Sequence, residues 1–167
     1  TDPPLDEPGL VEMLKSRARS LNLASVYPLG ALTAKLKGER LAEMAELADA
    51  GCVAFSQADA VIADTQVLWR AMQYASTFGF SVWLRPQELH LGKGVAASGA
   101  LATRLGLAGV PVAAETIALH TLFELLRALG GKAGPRVHLC RISSAKGVDL
   151  VRAAKAEGLR VTCDVSI

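Results

Sequence analysis

Five short runs of this chain, "ASVYPLG", "CVAF", "SVWL", "RVHLC" and "RVTCDVSI", are nearly all apolar, and each is separated from the next by a segment of helical periodicity. A strand without a polar face needs cover on both sides, which a helix-flanked parallel sheet or a closed barrel provides. Strands alternating with helices imply βαβ units and therefore parallel pairing. The pattern predicts an α/β fold.

The helices are marked by their own signals. "DEPGLVEMLKSRARSLNL" opens one, with Pro8 in its first turn and Leu10, Val11, Leu14, Ala18 and Leu21 at helical spacing. The strand "ASVYPLG" is expected to end at Pro28. "RLAEMAELADA" follows and stops at Gly51. A third helix begins at Asp64 or Thr65, both good N-caps, and runs to Gly79. "SGALATRLGL" is a short apolar helix candidate. "AAETIALHTLFELLRAL" is closed by Gly130 and Gly131, and "AKGVDLVRAAKAEG" ends at Gly158.

Five strands are too few for an eight-stranded barrel, which takes about 250 residues. A complete open sheet and the middle of a barrel remain; the start at Thr1 rather than Met and the strand at the chain's end favour the barrel segment. Residues 1–167 show no repeat, linker or internal boundary. Five parallel strands would leave two open edges, so the expectation is either an oligomer or a piece cut from a chain that folded whole.

The net charge is +2, which points neither to nucleic acid nor to an anionic membrane surface. No apolar run reaches the roughly 18–20 residues of a membrane span. Lys35 and Lys37 form the densest basic spot, better explained by a solvated loop than by a phosphate site. Cys52, Cys140 and Cys163 are odd in number, lack CxxC spacing and sit in apolar runs. They read as buried free thiols in a reducing, cytoplasmic setting.

In parallel α/β folds chemistry gathers at the carboxyl ends of the strands. Here those ends are Tyr27-Pro28-Leu29-Gly30, Ser56-Gln57-Ala58-Asp59, Arg85-Pro86-Gln87-Glu88, Arg141-Ile142-Ser143-Ser144 and Asp164-Val165-Ser166. No two of His90, His120 and His138 have metal-ligand spacing, and His138 reads as a satisfied core histidine. Ser143 and Ser144 lie outside any GxSxG elbow and read as caps of the following helix. Arg85 and Arg141 either share a positive pocket suited to a carboxylate or phosphate, or pair with acids such as Glu88, Asp59 and Asp164. The residues alone leave both readings open.

"TDPPLDEPGLVEMLKSRA", "VYPLGALTAKLKGERLAEMAELADAGCVAFS", "GKGVAASGALATRLGLAGVPVAAET" and "LVRAAKAEGLRVTCDVS" together resemble dihydroorotases, barrels of the amidohydrolase superfamily that act in pyrimidine biosynthesis. The resemblance runs collinearly over essentially the whole chain. It implies a partial (β/α)8 TIM barrel, about strands three to seven, with a His-x-His metal motif upstream and a last metal-binding Asp downstream.

Active members carry Phe-(Ser/Thr)-Asp-Asp-Gly after the strand matching "CVAF". The match here is Phe55-Ser56-Gln57-Ala58-Asp59, with Asp59 displaced to the glycine position. The His of a His-x-Glu-Asp run is Arg85, and the second His of His-x-x-His-x-Ser is Arg141, with His138 kept. A Pro-His-His run finds no match in "DVSI". Ala58, Arg85 and Arg141 thus stand as vestigial metal-ligand positions, because guanidinium has no lone pair to donate. The resemblance is greatest to a non-catalytic dihydroorotase-like chain that partners aspartate carbamoyltransferase. It implies no catalytic residue, no metal and no cofactor, where active relatives hold zinc.

Overall fold

The computed structural model describes residues 1–165. The chain divides into two compact units, Thr1–Leu84 and Arg85–Ile167. No linker marks the junction in sequence: Arg85 directly follows the strand that ends at Leu84.

In the first unit, α1 (Pro8–Leu21) starts with its proline at the first helical position, where a missing N–H is harmless. It ends at Asn22, whose left-handed φ of 49° lets its N–H reach the Ala18 carbonyl at 3.1 Å. Of the expected apolar stripe, Val11 is buried while Leu21 is 59% exposed. Three parallel strands follow: β1 (Leu29–Ala31), β2 (Ala54–Ser56) and β3 (Ser81–Leu84). The register sets Gly30 beside Phe55, and Phe55 beside Val82. A Cβ on Gly30 would come within 2.8 Å of the Phe55 ring, so the close pairing of β1 and β2 requires glycine.

The strand expected over "ASVYPLG" is corrected. Pro28 begins the pairing instead of ending it: its carbonyl accepts from Val53 N–H at 3.0 Å, and β1 starts one residue later. A proline donates nothing to a ladder, so it is tolerated at a strand's first position. Val26 and Tyr27 stay outside, the latter 73% exposed. The carboxyl end of β1 is therefore Leu32-Thr33.

The helix expected over "RLAEMAELADA" shrinks to α2 (Met44–Asp49). Its first residues are held by the segment after β1 instead: Ala42 N–H donates to Leu32 O, Ala34 N–H to Arg40 O, and Leu41 bridges Thr33. α3 (Thr65–Thr77) is capped by Asp64, whose Oδ1 accepts from Gln66 N–H at 2.7 Å. Leu32, Met44, Leu47, Phe55, Met72 and Val82 form the core of this unit.

The second unit opens with a long connection. It contains a two-stranded parallel pair, β4 (Ala96–Ala97) and β5 (Gly109–Val110), flanking α4 (Ala100–Arg104). This pair is not predicted from sequence. α5 (Val112–Ala128) presents Leu119, Leu122, Phe123 and Leu126 inward and packs against α6 (Ala145–Ala156). β6 (Arg136–Ile142) and β7 (Val161–Val165) pair in parallel.

β6 runs past its expected end at Cys140. The ladder matches Leu139 to Cys163 and next Ile142 to Val165, so Cys140 and Arg141 lie in a bulge. Arg141 takes a left-handed φ of 57° there. It lies within β6, not after it, and Asp164 lies within β7. Ser166 and Ile167, expected to continue β7, lie outside the described residues.

Candidate functional site

The turn after β2 is closed by its own side chains. Gln57 is only 1% exposed, and both ends of its amide are engaged. Its Oε1 accepts from the Thr33 hydroxyl at 2.9 Å, and its Nε2 donates to the Leu36 carbonyl at 2.9 Å. Thr33 Oγ1 in turn accepts from Gly38 N–H at 2.9 Å. The chain of bonds ties the β2 turn to the loop after β1, and buried polar atoms need such partners. Ala58 adopts a left-handed φ of 52°, with its N–H donating to Ser56 Oγ at 3.0 Å. Ala58 and Asp59 are both exposed. Sequence reading placed Gln57 at a strand end; its partner Thr33 was hidden by the misplaced end of β1.

Arg85 and Arg141 both line one cavity of about 610 Å³ in the second unit. Val95, Val110 and Pro111 contribute to its apolar side, and Glu115 is its remaining charged residue. Glu115 is 8% exposed, yet its carboxylate is fully engaged. Oε2 accepts from Ser143 N–H at 2.7 Å and its hydroxyl at 2.8 Å. Oε1 accepts from Ser144 N–H at 3.1 Å and its hydroxyl at 2.5 Å. Ser144 Oγ also accepts from Gly147 N–H at 2.9 Å, so it caps α6 as expected. Glu115 itself was not singled out in sequence; nothing in "AAETIALH" distinguishes a buried anchor from a first-turn acid.

Two of the acids named as arginine partners, Glu88 and Asp164, bind backbone amides. Glu88 Oε2 accepts from His90 N–H at 2.9 Å and Leu91 N–H at 2.7 Å, which shapes the turn after Arg85. Asp164 Oδ1 accepts from Arg141 N–H at 2.5 Å, and its Oδ2 lies 3.0 Å from His138 Nε2. The Arg141 amide and then His138 hold the Asp164 carboxyl below its usual range.

The β6–β7 register creates a cluster that sequence spacing conceals. His138, Cys140 and Asp164 each bring a ligand-type atom within 4.8 Å of the others, close enough in principle to hold an ion. Their present bonds describe a brace. His138 Nδ1 contacts Thr162 Oγ1 at 2.8 Å while Nε2 faces Asp164, so both ring nitrogens are engaged. Burial, followed by the charge of Asp164, raises the Cys140 thiol pKa, which disfavours the thiolate that a metal needs. Cys52 is raised by burial as well, and all three cysteines are free.

Zinc, implied by the family resemblance, does not fit the three vestigial positions. Ala58 has no donor atom, and the arginines present only N–H groups. The adjacent Gln57 is buried with its amide committed. No catalytic step is derived through such a metal.

Comparison with known proteins agrees with the architecture. The chain matches an L-hydantoinase (dihydropyrimidinase) from Arthrobacter aurescens with a TM-score of 0.76, at 21% identity, over 99% of this chain and 38% of that one. That likeness shows the fold: parallel strands alternating with helices, as in a portion of a TIM barrel. A "Dihydroorotase-like protein" of Pseudomonas aeruginosa is 43% identical over 100% of this chain. A "Dihydroorotase" of Anaeromyxobacter sp. is 40% identical over 99% of it. The chain spans 39% and 38% of the lengths of these relatives. The family model described as Dihydro-orotase-like matches residues 1–147. With that match over most of its length, the chain belongs to the dihydroorotase-like family.

Proposed function

We propose that the protein carrying this chain is a non-catalytic dihydroorotase-like member of pyrimidine biosynthesis, and a structural partner of aspartate carbamoyltransferase. The observation that carries this reading is the donor set. Where active members place an acidic ligand and two histidines, this chain has Ala58, Arg85 and Arg141. One lost ligand can be compensated, but two guanidinium groups leave no lone pairs for a metal and repel a divalent cation. The partner rests on the resemblance. The expected oligomeric, cytoplasmic setting belongs to the same proposal. Among the described residues no helix is long and apolar enough to cross a membrane.

The experiment is co-purification of the full-length protein with the carbamoyltransferase of the same organism. Association, with a higher unfolding temperature for the enzyme, is expected. The assembly role fails if the two migrate separately and neither affects the other's stability.

A second reading is an active, metal-dependent dihydroorotase or related cyclic-amide hydrolase in the full-length form. The name "Dihydroorotase" borne by a relative at 40% identity favours it. Metal content and dihydroorotate hydrolysis distinguish the two readings.

A further inference from the structure

We infer that the groove between the second half of α1 and residues 23–27 is a docking site for a peptide segment of a partner protein, one that carries carboxylate and apolar side chains. The cavity there holds about 440 Å³ and lies within the first unit. Lys15, Ala18 and Arg19 form its helical wall, and Leu23, Val26 and Tyr27 form the other. Lys15 and Arg19 stand four positions apart, so one face of the helix carries both. No carboxylate lines the cavity. Lys15 Nζ donates to Ala50 O at 3.2 Å, and Arg19 Nε to Lys15 O at 3.3 Å. These acceptors are carbonyls without formal charge, so both cations keep their charge and further N–H donors for a carboxylate.

The backbone of the second wall is the independent feature. Among the described residues, none of 23–27 shares a backbone hydrogen bond with another residue. The segment leads through Pro28 into β1, the edge strand of its sheet. Open amides and carbonyls beside a sheet edge accept an added strand, and natural edges are usually guarded by charged side chains. Residues 21–27, "LNLASVY", carry no charge, and Leu23 is 86% exposed. Contiguous exposed apolar side chains rimmed by polar groups mark interaction surfaces.

Charge chooses the occupant. A second copy of the chain would bring the same uncharged segment and leave Lys15 and Arg19 without counter-ions. An anionic membrane is recognised by clusters of about 4–8 basic residues, whereas this groove offers two cations. A peptide with alternating apolar and acidic side chains meets every wall: its backbone pairs with 23–27, and its carboxylates reach the α1 cations. This inference is independent of the assembly role, since the groove exists within one unit.

The test is fluorescence anisotropy of a labelled peptide, Val-Glu-Val-Glu-Val, titrated with the full-length protein. A Val-Lys-Val-Lys-Val peptide and a backbone N-methylated form of the first are the controls. Saturable binding of the glutamate peptide is expected, with the lysine peptide weaker by about fivefold or more. The N-methylated peptide should also bind more weakly, because its backbone cannot donate. Arg19→Gln should weaken the glutamate peptide by about two- to fivefold. Arg19→Glu should turn the preference toward the lysine peptide, a reversal that misfolding does not produce. The inference is overturned if the glutamate peptide shows no saturable binding, if either control matches it, or if the Arg19 substitutions leave it unchanged. It is equally overturned if the protein forms a dimer that Ser25→Pro disperses, or if phosphatidylserine vesicles displace the peptide. The titration contains no carbamoyltransferase, so its failure leaves the assembly reading standing.

Discussion

Gly147→Ala reverses the usual sign of a helix substitution. Replacing glycine by alanine inside a helix ordinarily stabilises by roughly 0.5–1 kcal/mol. At Gly147 the new Cβ would overlap Glu115 Oε1, lie 3.0 Å from Glu115 Cδ and 3.1 Å from Ser144 Oγ. A flexible exposed carboxylate would swing aside, but this one is 8% exposed and held by four donors. Its displacement breaks at least the two bonds to Ser144. Hydrogen bonds to charged groups contribute about 1.5–3 kcal/mol each, so two broken bonds cost about 3–6 kcal/mol. After the propensity gain and partial relaxation, a net loss of about 2–4 kcal/mol is expected. Urea unfolding of the full-length protein measures it, with a double-mutant cycle against Glu115→Ala. In the Glu115→Ala background the clash is gone, and Gly147→Ala should be neutral or stabilising. The reasoning is refuted if Gly147→Ala stabilises the protein carrying Glu115, or if its cost is the same in both backgrounds.

Other consequences follow from the same geometry. Gln57→Glu removes the donor to Leu36 O and sets two acceptors face to face in a buried turn. It is expected to lower stability by about 1–3 kcal/mol without producing metal binding, checked by unfolding and metal analysis of one preparation. Gly30→Ala places a Cβ 2.8 Å from the Phe55 ring and should destabilise by about 1–3 kcal/mol; thermal unfolding reads it. The Asp164 carboxyl has a lowered pKa in the folded chain. Its contribution is therefore fully present above the ordinary Asp value of about 3.9 and is lost as pH falls through the lower folded value. Asp164→Asn should flatten that acid limb of a stability–pH curve, and an unchanged limb would contradict the assignment.

Much of the architecture is legible because apolar runs between segments of helical period leave a simple trace. "SVWL" is β3 residue for residue, and Asp64 caps α3 where its side chain chemistry places it. The misreadings share a cause: pairing partners distant in sequence. Pro28 looks like a terminator until Val53 is seen donating to its carbonyl. Arg40 to Ala42 fit a helix until the segment after β1 claims their backbone groups. β4 and β5, two residues each, are too short to carry a period.

The site is legible in composition and hidden in geometry. Arg85, Arg141 and Ala58 stand out as residues against a family motif, and the two arginines line one cavity. The bulge that turns Arg141 left-handed depends on β7, and nothing in "HLCRIS" announces it. The His138–Asp164 bond is likewise made by strand register across 26 positions. Gln57, beside Ala58, serves as a buried tie between two loops.

The central claim is that these replacements have removed metal-dependent catalysis from the protein. Its most direct test is zinc content of the full-length protein, measured after purification without chelator, together with dihydroorotate hydrolysis of the same sample. The account predicts substoichiometric zinc and no turnover above buffer. Stoichiometric zinc accompanied by turnover would contradict it.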